Sequence, residues 1–123
     1  MKKNILIIEN DEYLANIYNK KLTGDGFNAV IARDGNSGLR AATKSPPDLI
    51  ILELLLPRKP GVEVLKELKA DGNLKMIPVI ISSDLSEKEM INECFRLGAV
   101  DFIIKAHINL SELSLRVKRA LNQ

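Results

Sequence analysis

Pro47-Asp48-Leu49-Ile50-Ile51-Leu52-Glu53 sets four consecutive apolar residues between a proline turn and an acid. A strand of that length without polar alternation is one covered on both faces, as in a parallel sheet. The pattern recurs on either side of it. Ile5-Leu6-Ile7-Ile8 and Phe27-Asn28-Ala29-Val30-Ile31-Ala32 precede it, and Val79-Ile80-Ile81 and Val100-Asp101-Phe102-Ile103-Ile104 follow. Helical spacing fills the gaps: Leu14, Ile17, Tyr18 and Leu22; then Leu39 and Ala42; Val64, Leu65 and Leu68; Ile91, Cys94 and Phe95; and Leu110, Leu113, Val117 and Leu121. Five β-α units in series predict an α/β fold, a parallel sheet with helices on both faces.

Start and stop signals agree with this division. Asp34, and either Asn10 or Asp11, are expected N-caps. Ser86-Glu87-Lys88-Glu89 reads as a capping box, and Asn109 with Glu112 resembles one. Gly24, Gly72 and Gly98 stand where helices should stop.

With 123 residues the chain fits one domain, expected to span 1–123. A formal charge of +2 gives no reason to expect a nucleic-acid partner. One cysteine, Cys94, excludes a disulfide framework or a cysteine-cluster zinc site, and one histidine, His107, excludes a histidine-rich one. Cys94 reads as inert packing on a helix stripe, and His107 as a surface or turn residue. The apolar runs are too short for a membrane span or a signal peptide. The sequence thus predicts a soluble cytoplasmic protein. It ends with its fifth helix and no output domain follows in it, so it is expected to be either a stand-alone module or a piece of something longer.

Ligands of open α/β sheets bind beyond the carboxyl ends of the strands. The five strands deliver there Glu9, Asn10 and Asp11; Arg33 and Asp34; Glu53; Ser82, Ser83 and Asp84; and Lys105. Acids, hydroxyls and a lysine on one rim suit a divalent cation and a phosphoryl group.

Five motifs in order carry a resemblance over essentially the whole chain. They are Ile5-Leu6-Ile7-Ile8-Glu9-Asn10-Asp11, Pro47 to Glu53, Leu56-Pro57 with Gly61, Ile77-Pro78-Val79-Ile80-Ile81-Ser82-Ser83, and Gly98-Ala99-Val100-Asp101-Phe102-Ile103-Ile104-Lys105. The chain resembles the response-regulator receiver domain of two-component signalling. The resemblance implies a flavodoxin-like (βα)5 fold with strand order 2-1-3-4-5 and a module that works by protein contact and not as an enzyme. It implies a phosphoacceptor position at Glu53, an acidic pocket at Glu9, Asn10 and Asp11, a switch hydroxyl at Ser83, an aromatic switch position at Phe102 and a phosphate-contacting lysine at Lys105. Magnesium would fall to Glu9, Asn10 and Glu53. The implied partners are a histidine kinase and an effector or output protein, docking on helix 4, strand 5 and helix 5. The chain is expected to be a monomer or weak dimer, with no nucleic acid or membrane bound directly. Arg116, Lys118 and Arg119 on the last helix read as a solvated basic face.

Three positions depart from the family. The acceptor is aspartate there and Glu53 here. One of two acids after strand one is the amide Asn10. The residue after the lysine is usually proline and here is Ala106. Glutamate adds about 1.5 Å of reach. Its charge of about −1 and two oxygens only partly mimic a phosphoryl group, which carries roughly −1.5 to −2 and three. It is expected to pair with Lys105 and draw Ser83 inward, filling the active state if that pair spans the gap between states. Asn10 weakens the magnesium site, unless Asp11 turns into the pocket.

These features predict a pseudo-receiver or a phosphomimetic receiver, with Glu53 at the phosphoacceptor position. One alternative is an ordinary phosphorylatable receiver carrying engineered substitutions at Glu53 and Asn10. A distant one is a small nucleotide-binding enzyme, since Gly24-Asp25-Gly26-Phe27-Asn28-Ala29 matches G-x-G-x-x-A. That motif follows a helix and precedes a strand, the wrong order for a dinucleotide loop.

Overall fold

The computed structural model describes residues 1–123. Strands β1 (Asn4–Ile8), β2 (Asn28–Ala32), β3 (Leu49–Leu52), β4 (Val79–Ser83) and β5 (Asp101–Ile104) alternate with helices α1 (Glu12–Gly24), α2 (Gly35–Lys44), α3 (Gly61–Ala70), α4 (Lys88–Arg96) and α5 (Leu110–Ala120). A 3-10 turn, Lys105–His107, separates β5 from α5. All strand pairs are parallel and the order is β2-β1-β3-β4-β5. This is the flavodoxin-like arrangement the sequence predicts.

The unbroken apolar runs are explained by two cores, one on each sheet face. Leu6, Ile8, Ile50, Leu52, Val79 and Ile81 face α2, α3 and α4, where Ala42, Leu65, Leu68 and Cys94 meet them. Ile5, Ile7, Leu49, Ile51 and Ile80 face α1 and α5, where Tyr18, Leu22, Leu113 and Val117 close the layer. Each fully buried Leu or Ile contributes roughly 1.5–3 kcal/mol of transfer free energy. Cys94 belongs to the first core, and burial, followed by the nearby Glu93 charge, pushes its thiol up. The sequence assigned it to inert packing, and it packs there.

Several boundaries differ from the sequence reading. β4 runs on through Ser82 and Ser83, because pairing with β5 carries the ladder past the apolar residues. The N-cap of α1 is Asp11, whose Oδ1 accepts from Leu14 N at 3.1 Å; Asn10 caps nothing. Asp34 caps α2 through Ser37 N at 2.8 Å, and Asn109 caps α5 through Glu112 N at 2.8 Å. Glu112 turns to Arg116 instead of closing the box. The expected box at Ser86 does not form: α4 starts after Glu87 with no side-chain cap. Gly24 ends α1 in helical conformation, and the left-handed residue is Gly26 (φ 97°), two positions on.

Candidate functional site

β1 and β3 are adjacent, and Ile8 pairs with Leu52. The next residues, Glu9 and Glu53, are therefore lateral neighbours where the two strands end. Both stay inside the ladder: Glu9 N donates to Ala32 O and Glu53 N to Ile8 O, each at 3.0 Å. Both side chains are buried, at 3 % and 5 % exposure. The turn after β5 brings Lys105 over them. Its ammonium lies 2.6 Å from Glu9 Oε1 and also pairs with Glu53 Oε1, with 13 % of the side chain exposed.

The other carboxylate oxygens are filled from the chain itself. Glu53 Oε2 accepts from Leu54 N at 2.6 Å and Leu55 N at 3.2 Å. Glu9 Oε2 accepts from Asp11 N at 3.0 Å. With its nitrogen turned to the acceptors around it, the Asn10 amide donates to Glu9 Oε2 at 3.2 Å and to Leu55 O at 2.9 Å. The loop can fold this tightly because Gly61 packs on the backbone of Glu53 and Leu54, where a Cβ would collide. Its N–H donates to Leu54 O at 2.9 Å.

Burial pulls the Lys105 ammonium down, but the hydrogen bonds to Glu53 and Glu9 and their charges outweigh it, so its pKa is raised. The site holds two carboxylates and one ammonium. Buried charges are tolerated when each is paired and hydrogen-bonded, and every oxygen here is.

The structure brings Glu9, Glu53, Lys105 and Asn10 together, as the sequence predicts. It does not bring the others. Asp11 spends its carboxylate on the α1 cap and offers the pocket only its N–H. Ser83 is fully buried, but its Oγ accepts from Leu85 N at 3.3 Å and makes no bond to Glu53. The inward draw on Ser83 expected from Glu53 is thus not seen: residues 82 and 83 alternate sides of the sheet, and Ser82 shares the face of Glu53. Phe102 is 8 % exposed and packs in the α2–α4 core on the opposite face. Arg33 pairs with Glu12 at 3.5 Å outside the cleft.

Arg116 corrects the expectation of a solvated basic face. It is half-buried, bonding Asp101 Oδ1 at 3.0 Å, Phe102 O at 3.3 Å and Glu112 Oε1 at 3.2 Å. His107 is exposed.

Three contacts had not been anticipated. The Tyr18 hydroxyl lies 3.0 Å from Ser82 Oγ; a buried tyrosine needs a partner, and that was the available signal. Ala106 N donates to Asp84 Oδ1 at 3.0 Å, a bond that proline at 106 would lack. Arg58 Nη1 donates to Asp34 Oδ2 at 2.5 Å across the rim.

Receiver domains commonly bind magnesium at the phosphorylation site. The donor set here does not fit a divalent ion. The facing oxygens of Glu9 and Glu53 hold an ammonium, Asn10 has replaced an acid, and no cluster of three His, Cys, Asp or Glu side chains is disposed for a metal.

The family model of the response regulator receiver domain matches residues 5–118. The transcriptional regulatory protein RprY of Bacteroides fragilis is 33% identical over 122 residues, which are 99% of this chain and 50% of RprY. The DNA-binding response regulator MtrA of Mycobacterium leprae is 31% identical over 123 residues, 100% of this chain and 53% of MtrA. The chain therefore spans about half the length of the curated relatives it matches. Among solved structures, the signal receiver domain of a signal transduction histidine kinase from Syntrophus aciditrophicus superposes with a TM-score of 0.89 at 32% identity, covering 98% of this chain and 90% of that one. The receiver domain of a Francisella response regulator superposes with a TM-score of 0.90 at 26% identity, covering 98% of each.

Proposed function

The chain belongs to the response regulator receiver family, whose members are signalling regulators of two-component systems and not enzymes in general, and from that premise we propose that it is a receiver whose site is closed by its own lysine. Glu53 stands at the phosphoacceptor position and Lys105 takes the place of a cation between Glu9 and Glu53. The site then needs neither a phosphoryl group nor magnesium to hold its shape, and magnesium binding is weak. Signalling passes through protein contacts with a histidine kinase or an effector. The docking face is α4–β5–α5; Phe95 of α4, Val100 just before β5 and Leu115 of α5 are about half exposed, and Arg119 of α5 is exposed. The module is cytoplasmic, a monomer or weak dimer, and no helix is long and apolar enough to cross a membrane.

The ion triad carries this reading. All four carboxylate oxygens of Glu9 and Glu53 have partners within the chain, so an incoming phosphate or cation must displace a charged hydrogen bond. Incubation with acetyl phosphate and magnesium, followed by intact mass measurement, tests it. An unchanged mass is expected, and a stoichiometric gain of one phosphoryl group overturns the proposal.

A further inference from the structure

The row of side chains holding Glu9 and Glu53 continues onto β4. Leu52 pairs with Ile81, so the next step of the register sets Ser82 beside Glu53. Lateral neighbours in a sheet share a face, with Cβ atoms about 5 Å apart. Ile7, Ile51 and Ile80, two residues earlier on the same strands, pack in the α1–α5 core. Glu9, Glu53 and Ser82 therefore face α1 as well.

On that face Tyr18 of α1 and Ser82 bond each other at 3.0 Å. Tyr18 is 2% exposed and Ser82 1%. Neither hydroxyl has another hydrogen-bond partner. Burying two hydroxyls is costly, and phenylalanine would fill the same space without that cost. What lies beside them is a triad with one more carboxylate than ammonium, shielded from water. Two hydroxyls carry two hydrogens and use only one on each other. If Tyr18 donates to Ser82, the Ser82 hydrogen is free to turn toward the carboxylates, and both dipoles oppose the excess charge.

We infer that Tyr18 is a positioning residue of the triad: its hydroxyl donates to Ser82 Oγ and orients the Ser82 hydroxyl hydrogen toward the carboxylates of Glu9 and Glu53. The phenol and the triad are within electrostatic range of one another. Burial raises the Tyr18 pKa, the Ser82 hydrogen bond and Lys105 lower it, and Glu9 and Glu53 raise it. This arrangement deepens the proposed function, since it rests on the reading that Lys105 alone fills the cation position.

A double-mutant cycle of Tyr18→Phe against Glu53→Gln tests it, by urea unfolding of the full chain in buffer freed of divalent ions. Tyr18→Phe should lower the folding equilibrium constant by about tenfold in the natural sequence, and by about threefold or less in the Glu53→Gln background, where the excess charge is gone. A ring that only fills the core, or only ties α1 to β4, gives the same factor in both backgrounds, and that result overturns the inference. Should Glu53→Gln not fold, Glu9→Gln closes the same cycle from the other carboxylate with the same two outcomes. Phosphoryl uptake from acetyl phosphate would strike the parent reading; equal factors in the cycle strike only the role of Tyr18.

Discussion

At the carboxyl rim of the sheet Lys105 bridges Glu9 and Glu53 with all three side chains at or below 13% exposure, whereas Arg58, 68% exposed, reaches Asp34 from outside. Both are carboxylates paired with cations at hydrogen-bond distance. They differ in what surrounds them. Asp34 is itself only 11% exposed, but water screens Arg58 and can take its place, while the Ser37 N–H stays on the carboxylate, so loss of that pair costs little. In the triad each charge has given up its hydration, and the geometry must supply the replacement. Solvent access to the cation, more than distance, sets how strongly each cluster holds the chain.

The largest break in the comparison is Lys105→Met. It leaves two buried carboxylates side by side with no counter-charge, and removing one partner of a buried pair costs about 3–5 kcal/mol. Urea unfolding at neutral pH should show a loss of that order. A change below about 1 kcal/mol would place the triad in the same class as the Arg58–Asp34 pair.

The pH response separates the two clusters by sign. The folded Lys105 pKa is raised above the ordinary value of 10.5 by Glu53 and Glu9, against the pull of burial. A raised folded value means the contribution is fully present below 10.5 and fades as pH climbs through the folded pKa. The stability difference between the natural chain and Lys105→Met should therefore be flat from pH 7 to 10 and shrink above that. For Asp34, the Ser37 backbone N–H and then Arg58 hold the carboxyl below its ordinary 3.8, against some desolvation. Its contribution is present above that value and is lost only as pH falls below it. Thermal melts across both ranges check the two directions.

The fold was legible in the sequence because five apolar runs and their intervening stripes fixed the number, type and order of elements. The gathering of residues 9, 53 and 105 was legible too, since strand ends of a parallel sheet share one rim. Which of two adjacent serines joins them was not. A strand covered on both faces has no polar alternation, so its parity is not written in the hydrophobic pattern. Ser82 and Ser83 read alike, and only the pairing of Leu52 with Ile81 sends Ser82 toward Glu53. The Asp34–Arg58 pair was hidden for another reason: it depends on the path of the loop between β3 and α3, where Arg58 adopts φ 70°.

That loop joins the two clusters, starting at Glu53 and closing at Gly61. A Cβ at Gly61 would stand 2.6 Å from Leu54 Cα, a backbone atom that cannot move aside. Gly61→Ala is expected to cost about 1–3 kcal/mol, as overpacking does. If the loop shifts to relieve it, Leu54 N and Leu55 N leave Glu53 Oε2, and their amide NMR signals should move with the loss of stability. Destabilisation without movement of those signals would uncouple the loop from the triad.

The smallest effect sharpens the outer cluster. Arg58 combines an ion pair in which only the cation is exposed with a left-handed backbone, and the two can be separated by substitution. Arg58→Ala removes the pair and keeps the strained φ of 70°. Arg58→Gly removes the pair and also the strain, because without a Cβ the left-handed region is open. A left-handed non-glycine residue is strained by about 1 kcal/mol, so Arg58→Gly should be more stable than Arg58→Ala by about that amount. Added salt should weaken the unsubstituted chain relative to both variants, since only it carries the exposed Arg58 charge opposite Asp34 for salt to screen. Equal stability of the two variants would mean that the loop relaxes once Arg58 lets go of Asp34, and that the pair holds the strained turn in place.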